Sequence, residues 1–188
     1  MAALNPKPDN ITDMKVYLDN VICSGLARGD LNPQDQMKAA RALVCARDRG
    51  EIELVTSAES WREQDRTKDA TQRAIIVAGR DGIRRLDEDD EDHKVRGFFN
   101  VTDHLGSLIA NPMVTDVVDA TLLAKLESIK LRPGDTFHLM YAVYNDCRRF
   151  VTTDTRDLIP HKAEIEALCP SLKVVTPVEL ATELKLCW

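Results

Sequence analysis

Aromatic residues are scarce in this chain, and glycine and proline are few. Aromatic side chains make up 5% of the 188 residues, and glycine and proline occur eight times each. This composition excludes a collagen-like protein and a low-complexity linker protein. Because 44% of the residues are hydrophobic, the core must be mainly aliphatic. A chain of this length can bury such a core in a single domain with an insertion.

Cysteine motifs for disulfides or metals are also missing. The cysteines are Cys23, Cys45, Cys147, Cys169 and Cys187. Their number is odd and no two of them form a Cys-x-x-Cys motif, which argues against a disulfide framework and against a zinc ribbon. We expect reduced, partly buried thiols, as in cytosolic proteins.

No long hydrophobic run occurs in the sequence. Residues 1–13 contain two prolines and no apolar segment, which is unlike a signal peptide. Apolar stretches such as residues 74–78 are far shorter than the ~20 residues of a membrane-spanning helix. These features predict a cytoplasmic protein that does not interact with membranes.

The chain has no excess of positive charge. Its 25 basic and 31 acidic residues give a net charge of −6, which argues against non-specific coating of nucleic acid. Residues 81–95 alone carry a net charge of −4, so the rest of the chain carries only −2. A block of like charges is typical of a solvated segment. We therefore expect residues 1–188 to form one domain with an acidic insertion at about 79–112.

Short apolar runs alternate with helical patterns along the chain. Strands are predicted at 15–18, 51–56, 150–151 and 173–175. Helices are predicted from Asn32-Pro33 to about Gly50, from Thr56 or Ser57 to about Ala78, from Thr115 or Asp116 to about 129, and over 135–148, 163–168 and 177–184. This alternation favours a parallel sheet covered on both faces. The predicted fold class is α/β, a three-layer α/β/α sandwich with a mainly parallel central sheet.

Acidic residues from separate segments are expected at one edge of this sheet. Asp19 and Asp154 each directly follow a predicted strand. Asp135 begins a helix, and Glu63 lies early in the helix after the second strand. In such folds, ligands bind beyond the carboxyl ends of the strands. Carboxylates this close cannot all ionise cheaply, so either one takes a proton or a cation binds between them.

Oxygen ligands of this kind favour Mg²⁺ or Mn²⁺. Such an ion can deprotonate a water and neutralise charge on a phosphodiester, which predicts phosphodiester hydrolysis. Asp19 and Asp154 would hold the metal, and Asp135 would hold it or orient the water. Glu63 would complete the site or assist proton transfer. Each acid also has a simpler interpretation, as a helix cap, a turn residue or the partner of a nearby arginine.

Six basic residues are candidate phosphate contacts, although such side chains more often lie on a solvated helix face. They are Arg62, Arg66, Lys68, Arg73, Arg148 and Arg149.

Five segments resemble the PIN-domain family, in the order of the family and at plausible intervals. They are residues 16–22 (VYLDNVI), 51–66 (EIELVTSAESWREQDR), 134–142 (GDTFHLMYA), 150–158 (FVTTDTRDL) and 173–180 (KVVTPVEL). The most specific motifs are the Asp-x-x-His-Leu that begins at Asp135 and the Thr-x-Asp that ends at Asp154. Together the segments span nearly the whole chain.

The resemblance implies a Mg²⁺- or Mn²⁺-dependent endoribonuclease with an RNA substrate. Many relatives are toxins of toxin–antitoxin pairs, which implies an antitoxin protein as a partner, and relatives commonly form homodimers. The acids of the family's site correspond to Asp19, Glu63, Asp135 and Asp154, of which Asp19, Asp135 and Asp154 are the implied metal ligands. Thr152 corresponds to the hydroxyl that supports the metal site, and Asp157 to an additional member.

The sequence departs from the family at two points. The family often has Asp-x-Asn after the first strand, whereas here Asn20 follows Asp19 directly and Val21 takes the usual place of the supporting amide. Glu59 lies one helical turn before Glu63 and competes for its role. These departures keep open a second hypothesis, a PIN-like binding module with lost or reduced catalysis that acts in RNA or protein interaction.

His138 lies at helical spacing from Asp135, within the Asp-x-x-His-Leu motif. A histidine at this position could act as a catalytic base, but a structural hydrogen bond is the favoured role.

Overall fold

The computed structural model describes residues 14–85, 99–102, 108–111 and 120–188. The strands are β1 (Lys15–Leu18), β2 (Glu53–Thr56), β3 (Arg84–Arg85), β4 (Phe99–Thr102), β5 (Leu108–Asn111), β6 (Arg149–Val151) and β7 (Lys173–Val175). The helices are α1 (Asn20–Arg28), α2 (Gln34–Asp48), α3 (Ala58–Asp65), α4 (Ala70–Ala78), α5 (Ala120–Ser128), α6 (Pro133–Tyr144), α7 (Lys162–Leu168) and α8 (Pro177–Glu183).

Five of the strands form one parallel sheet in the order β3-β2-β1-β6-β7. At its centre, Tyr17 is in register with Val55 on one side and with Phe150 on the other. Phe150 in turn pairs with Val174 of the edge strand. Because all neighbouring strands in this sheet are parallel, every strand delivers its following loop to the same edge.

The two faces of the sheet carry separate apolar clusters. Val16 and Leu18 of β1 pack towards α1, α2 and α8. Tyr17, which points to the opposite face, packs with residues of α5, α6 and α7. Its ring stacks on that of Phe150, with 5.1 Å between centroids and 10° between planes. Successive residues of a strand point to opposite faces of the sheet, and helices cover both faces. The predicted three-layer α/β/α fold is confirmed.

Helix α1 (Asn20–Arg28) has no counterpart among the sequence predictions. It begins directly after Asp19, which occupies its N-cap position, and ends at Gly29, whose φ of 75° is left-handed. The helix buries Ile22 and Cys23 against the sheet. Asp19 makes no side-chain cap hydrogen bond, so the capping patterns that predict other helices in this chain do not mark the start of α1.

One predicted helix between Ser57 and Ala78 is wrong, because the chain forms two helices there. Helix α3 ends at Asp65, and α4 begins after Asp69, whose side chain accepts a hydrogen bond from the Gln72 backbone. Of the two expected caps for α3, Ser57 accepts a hydrogen bond from the backbone of Ser60. The polar stretch between the helices supplies a turn and a new N-cap, which hydrophobic periodicity does not detect.

Other helix ends differ by a few residues. Pro33, not Asn32, holds the N-cap position of α2. Helix α6 ends at Tyr144, four residues before the predicted end, because the chain must turn before β6 begins at Arg149. Differences of this size arise where side-chain caps and turns decide the boundary.

The predicted acidic insertion at about 79–112 falls largely on residues that the structure does not describe, including 86–98. At its start, a 3₁₀ helix over Gly79–Gly82 leads into β3, which pairs with β2 as an edge of the main sheet. Further on, β4 and β5 form an antiparallel pair. The assignment of one domain with an insertion stays a prediction. No helix in the described ranges has both the length and the apolar character needed to cross a membrane.

Candidate functional site

A buried carboxylate follows the central strand β1. Asp19 is 5% exposed, and its backbone N–H donates to the carbonyl of Val151 at the end of β6. Its Oδ2 accepts a 2.6 Å hydrogen bond from the Thr152 hydroxyl. Burial raises the pKa of Asp19 above its ordinary value, while His138 and the Thr152 hydrogen bond act in the opposite direction. The hydroxyl thus stabilises the charged form of a carboxylate that burial disfavours.

The loop after β6 presents two further acids. The Asp154 backbone N–H donates to the Thr152 hydroxyl at 3.0 Å. Oδ1 of Asp154 accepts hydrogen bonds from the backbone N–H groups of Arg156 and Asp157, at 2.7 and 3.0 Å. This turn fixes the Asp154 carboxylate and brings Asp157 beside it. Thr152 therefore connects the Asp154 loop to Asp19.

Asp135 reaches the same edge from the first turn of α6. Three carboxylate oxygens, one each from Asp135, Asp154 and Asp157, lie within 4.8 Å of one another. Oδ2 of Asp135 is buried and has no hydrogen-bond partner in the described part of the chain. A buried carboxylate oxygen without a partner is costly, and a cation among these three hard oxygen donors would satisfy it.

The neighbouring acids disfavour ionisation of Asp135. Burial, together with the negative charges of Asp19 and Asp154, raises the pKa of Asp135 to about 6. Asp19 is not part of the 4.8 Å triplet, but it is near enough to disfavour ionisation of Asp135. Without a cation, ionisation of all these carboxylates at once is therefore unfavourable. A divalent ion would relieve the repulsion between them, so the cluster favours its binding.

Glu63 lies on the α3 side of the site, against the start of α6. Its Oε1 lies 2.9 Å from the position that a Cβ would occupy on Gly134. Its Oε2 lies 3.3 Å from Nε2 of His138, within ion-pair distance but outside good hydrogen-bond geometry. Burial opposes ionisation of Glu63, but His138 and the Asn20 side chain outweigh it and lower the pKa of Glu63 below its ordinary value.

His138 is buried beneath the site rather than exposed at its surface. The ring is 1% exposed, and its Nδ1 lies 2.7 Å from the hydroxyl of Tyr17. That hydroxyl lies 2.6 Å from the hydroxyl of Ser57. Burial opposes protonation of His138, but Glu63 and Asp19 outweigh it and raise the pKa of the imidazole. Burial raises the pKa of Tyr17 well above its ordinary value, so its hydroxyl keeps its proton.

The alternative acid, Glu59, is held by two arginines and is not part of the acidic triplet. It pairs with Arg62 at 3.2 Å and with Arg66 at 3.6 Å. Of the two glutamates in α3, the geometry therefore brings Glu63 to the cluster.

Asn20 supports the site through α3. Its Oδ1 accepts hydrogen bonds from Gln64 at 3.1 Å and from Ser24 at 3.0 Å. Val21, two residues after Asp19, is 38% exposed and offers no hydrogen-bonding side chain. The amide beside Glu63 thus comes from Asn20, directly after Asp19.

Arg132 is a charged residue of the site that the sequence did not indicate. It precedes α6 and pairs with Asp157 at 2.7 Å. Two of the candidate phosphate contacts lie at the start of β6, Arg148 directly before it and Arg149 as its first residue, at the opposite edge of the sheet from Asp154. Arg149 pairs there with Glu183. The strand direction of β6 rules them out as neighbours of the acidic cluster.

Comparison with known proteins gives little information. The sequence matches no protein-family model and no curated protein. Among solved structures, the chain is similar to one in the crystal structure of VapBC2 from Rickettsia felis bound to a DNA fragment from their promoter, with 11% identity and a TM-score of 0.48. That similarity covers 87% of this chain and 98% of the other. A likeness at this level carries no information about activity.

Proposed function

We propose that the protein is a nuclease that hydrolyses RNA phosphodiester bonds with Mg²⁺ or Mn²⁺. The observation that carries this proposal is the triplet of Asp135, Asp154 and Asp157, whose carboxylate oxygens lie within 4.8 Å of one another. The buried, unpartnered Oδ2 of Asp135 fits a hard cation. Asp19 adds negative charge from the neighbouring strand end.

When bound, a divalent ion supplies Lewis acidity and lowers the pKa of a coordinated water. The residues of the chain hold the site ready for this chemistry. Thr152 fixes the Asp19 carboxylate through its 2.6 Å hydrogen bond. The backbone of the Asp154 turn fixes the second acid. Neither carboxylate has to reorganise when a cation binds, which favours tight binding and fast chemistry.

Glu63 is suited to accept a proton. His138 and Asn20 lower its pKa, so the carboxylate is ionised at neutral pH. It lies beside Gly134, directly before Asp135. A carboxylate in this position can take the proton of an attacking water at Oε1 or Oε2, as general base catalysis requires.

The RNA substrate is proposed from the resemblance in the sequence, and exposed basic side chains near the acids are compatible with it. Arg66 is 71% exposed and helps to lower the pKa of Glu63. Arg132 is 55% exposed and pairs with Asp157. Both side chains can contact phosphates beside the acidic cluster.

A cleavage assay tests the proposal. Purified wild-type protein should cleave end-labelled RNA in the presence of Mg²⁺ or Mn²⁺, and Asp19→Asn and Asp154→Asn should abolish cleavage. Asp48→Asn is the matched control, because Asp48 is an exposed acid at the end of α2 that pairs with Arg47. Cleavage that persists in both Asp19→Asn and Asp154→Asn would refute the assignment of the site.

The second candidate is a binding module with reduced catalysis. The exposed, apolar Val21 at the usual place of the supporting amide favours it. In that case calorimetry should detect no binding of divalent metal at millimolar concentration, whereas RNA binding without cleavage would persist.

A toxin role with an antitoxin partner, and a homodimer, are further proposals that follow from the sequence resemblance. A toxic ribonuclease should arrest the growth of a bacterial host on induction, and Asp154→Asn should not. Equal arrest by the wild-type protein and by Asp154→Asn would contradict the toxin role.

A further inference from the structure

Three buried side chains form a chain of short polar contacts beneath the acidic site. The hydroxyls of Ser57 and Tyr17 lie 2.6 Å apart, and the Tyr17 hydroxyl lies 2.7 Å from Nδ1 of His138. Exposure is 0% for Ser57 and Tyr17 and 1% for His138. This series of polar contacts ends at Glu63, whose Oε2 lies 3.3 Å from Nε2 of His138. The series therefore connects the apolar cluster on one face of the sheet to a carboxylate of the site.

The direction of these contacts decides which ring nitrogen carries the proton. If Ser57 donates to Tyr17 and Tyr17 donates to Nδ1, the proton of a neutral ring is on Nε2. If Tyr17 donates to Ser57, Nδ1 must carry a proton, and Nε2 carries one as well because its lone pair would otherwise face the Glu63 carboxylate. The bond at one nitrogen of a histidine fixes the state of the other. In both arrangements Nε2 carries a proton, at 3.3 Å from Oε2 of Glu63.

Packing alone does not require the Tyr17 hydroxyl. The Tyr17 ring stacks on Phe150, and a phenylalanine ring would stack in the same way. Buried polar groups are costly unless they are satisfied, and a complete network gives a single, rigid arrangement. The contacts with Ser57 and Tyr17 therefore fix the orientation of the His138 ring.

Helix α6 holds Glu63 from two sides. Gly134 leaves room for Oε1, because a Cβ at this position would lie 2.9 Å from it. His138, one turn further along the helix, contacts Oε2. Asp135 lies between these two residues in the sequence. The same helical turn thus sets the position of Glu63 relative to the acidic triplet.

We propose that Tyr17 and His138 are positioning residues. The Tyr17 hydroxyl orients the His138 ring so that its protonated Nε2, 3.3 Å from Oε2, attracts the Glu63 carboxylate and keeps it against Gly134 at the acidic site. Their effect on metal binding rests on the proposed function, and it acts through the negative charge of Glu63, which reaches Asp19 at the same site. Groups that orient the residues of a metal site typically change metal affinity by roughly 10- to 100-fold when they are removed.

Mn²⁺ titration of the full-length chain, with detection of the free ion by electron paramagnetic resonance, tests the proposal. Tyr17→Phe and His138→Leu should each weaken Mn²⁺ binding by about tenfold. His138→Gln, which keeps an N–H donor near the place of Nε2, should restore most of the affinity. His161→Gln is the matched control, because His161 forms a comparable pair with Glu164 on the surface of the molecule, and it should leave the affinity unchanged.

A double-mutant cycle separates positioning from general damage to the fold. In a Glu63→Gln background, His138→Leu and Tyr17→Phe should have little further effect, because both act through Glu63. Additive losses in that background, or equal losses in His138→Gln and His138→Leu, would overturn the proposal. Tyr17→Phe keeps the ring and guards against a folding defect that is specific to substitutions of His138.

The ¹⁵N spectrum of the His138 ring gives a readout that does not depend on metal or activity. The wild-type spectrum should show a protonated Nε2, and Tyr17→Phe should change the Nδ1 signal. A wild-type Nε2 without a proton at neutral pH would refute the arrangement. If Mn²⁺ binds with the predicted pattern but no RNA is cleaved, the proposed function fails and the positioning role stands. If the wild-type protein binds no Mn²⁺, both fail.

Discussion

The hydroxyl of Thr152 donates a 2.6 Å hydrogen bond to the carboxylate of Asp19, 133 residues earlier in the chain. Each residue directly follows a strand, β6 for Thr152 and β1 for Asp19, and these strands are neighbours in the sheet. The same hydroxyl accepts a hydrogen bond from the Asp154 backbone. One side chain therefore links two acids that the sequence separates widely.

Thr152→Val removes this hydroxyl but keeps the shape of the side chain. The buried Asp19 carboxylate would lose a partner, which costs about 1–3 kcal/mol of unfolding free energy at neutral pH, and its pKa would rise further. Thr152→Ser keeps the hydroxyl and should lose much less. Urea denaturation of the three proteins measures the difference, and equal losses in the valine and serine variants would contradict the role of the hydrogen bond.

Asp135→Asn should stabilise the metal-free protein at neutral pH. The pKa of Asp135 is raised to about 6 in the folded protein, above its value of about 3.9 in an unfolded chain. Between these values the folded protein holds a proton that the unfolded chain releases, so this carboxyl makes stability fall as pH rises from about 4 to 6. Above pH 6 the full penalty is present, and the asparagine variant escapes it.

Thermal unfolding in the presence of a chelator checks this pH dependence. The melting temperature of Asp135→Asn should exceed that of the wild type at pH 7.5, and the difference should vanish near pH 4. Added Mn²⁺ should then stabilise the wild type far more than the variant, because a ligand stabilises the state that binds it. A constant difference between the two proteins over the whole pH range would contradict the account.

Gly134→Ala should reduce activity without reducing the stability of the fold. A Cβ at this position would lie 2.9 Å from Oε1 of Glu63, so the end of that flexible side chain must move. Alanine in a helix is more favourable than glycine by at most about 1 kcal/mol, so the fold should be as stable or slightly more stable. RNA cleavage should nevertheless fall. Wild-type cleavage in a stable Gly134→Ala protein would show that the position of Glu63 is unimportant.

The two glutamates of α3 should differ in their effects. Glu63→Gln should strongly reduce cleavage, because it removes a carboxylate that faces the acidic site. Glu59→Gln breaks ion pairs with Arg62 and Arg66, whose guanidinium groups are exposed. Such pairs are worth little, and this substitution should leave cleavage near the wild-type level. Rates measured under single-turnover conditions decide between them, and the reverse order of effects would assign the role to Glu59.

The sequence predicted the sheet well, because its central strands are short apolar runs bounded by polar residues. The residues that follow parallel strands must meet at one edge, so the sequence alone assigns Asp19 and Asp154 to this edge. The participation of Asp135 and Glu63 follows less directly, since it requires the placement of helices against the sheet.

Other features of the site depend on packing that sequence patterns do not encode. Tyr17 has the sequence pattern of an ordinary core residue in a buried strand, and only the folded structure brings Ser57 and His138 to its hydroxyl. The choice between Glu59 and Glu63 depends on the rotation of α3 relative to Gly134. Arg132 has no recognisable motif, and its role follows from its contact with Asp157.

The central claim is that acids from separate segments share one divalent ion. Isothermal titration of the metal-free protein with Mn²⁺ tests it most directly, with Asp135→Asn, Asp154→Asn and the control Asp48→Asn measured beside the wild type. The wild type and Asp48→Asn should bind Mn²⁺ saturably, and the two site variants should bind it much more weakly. Absence of binding at millimolar Mn²⁺, or unchanged affinity in Asp135→Asn, would contradict it.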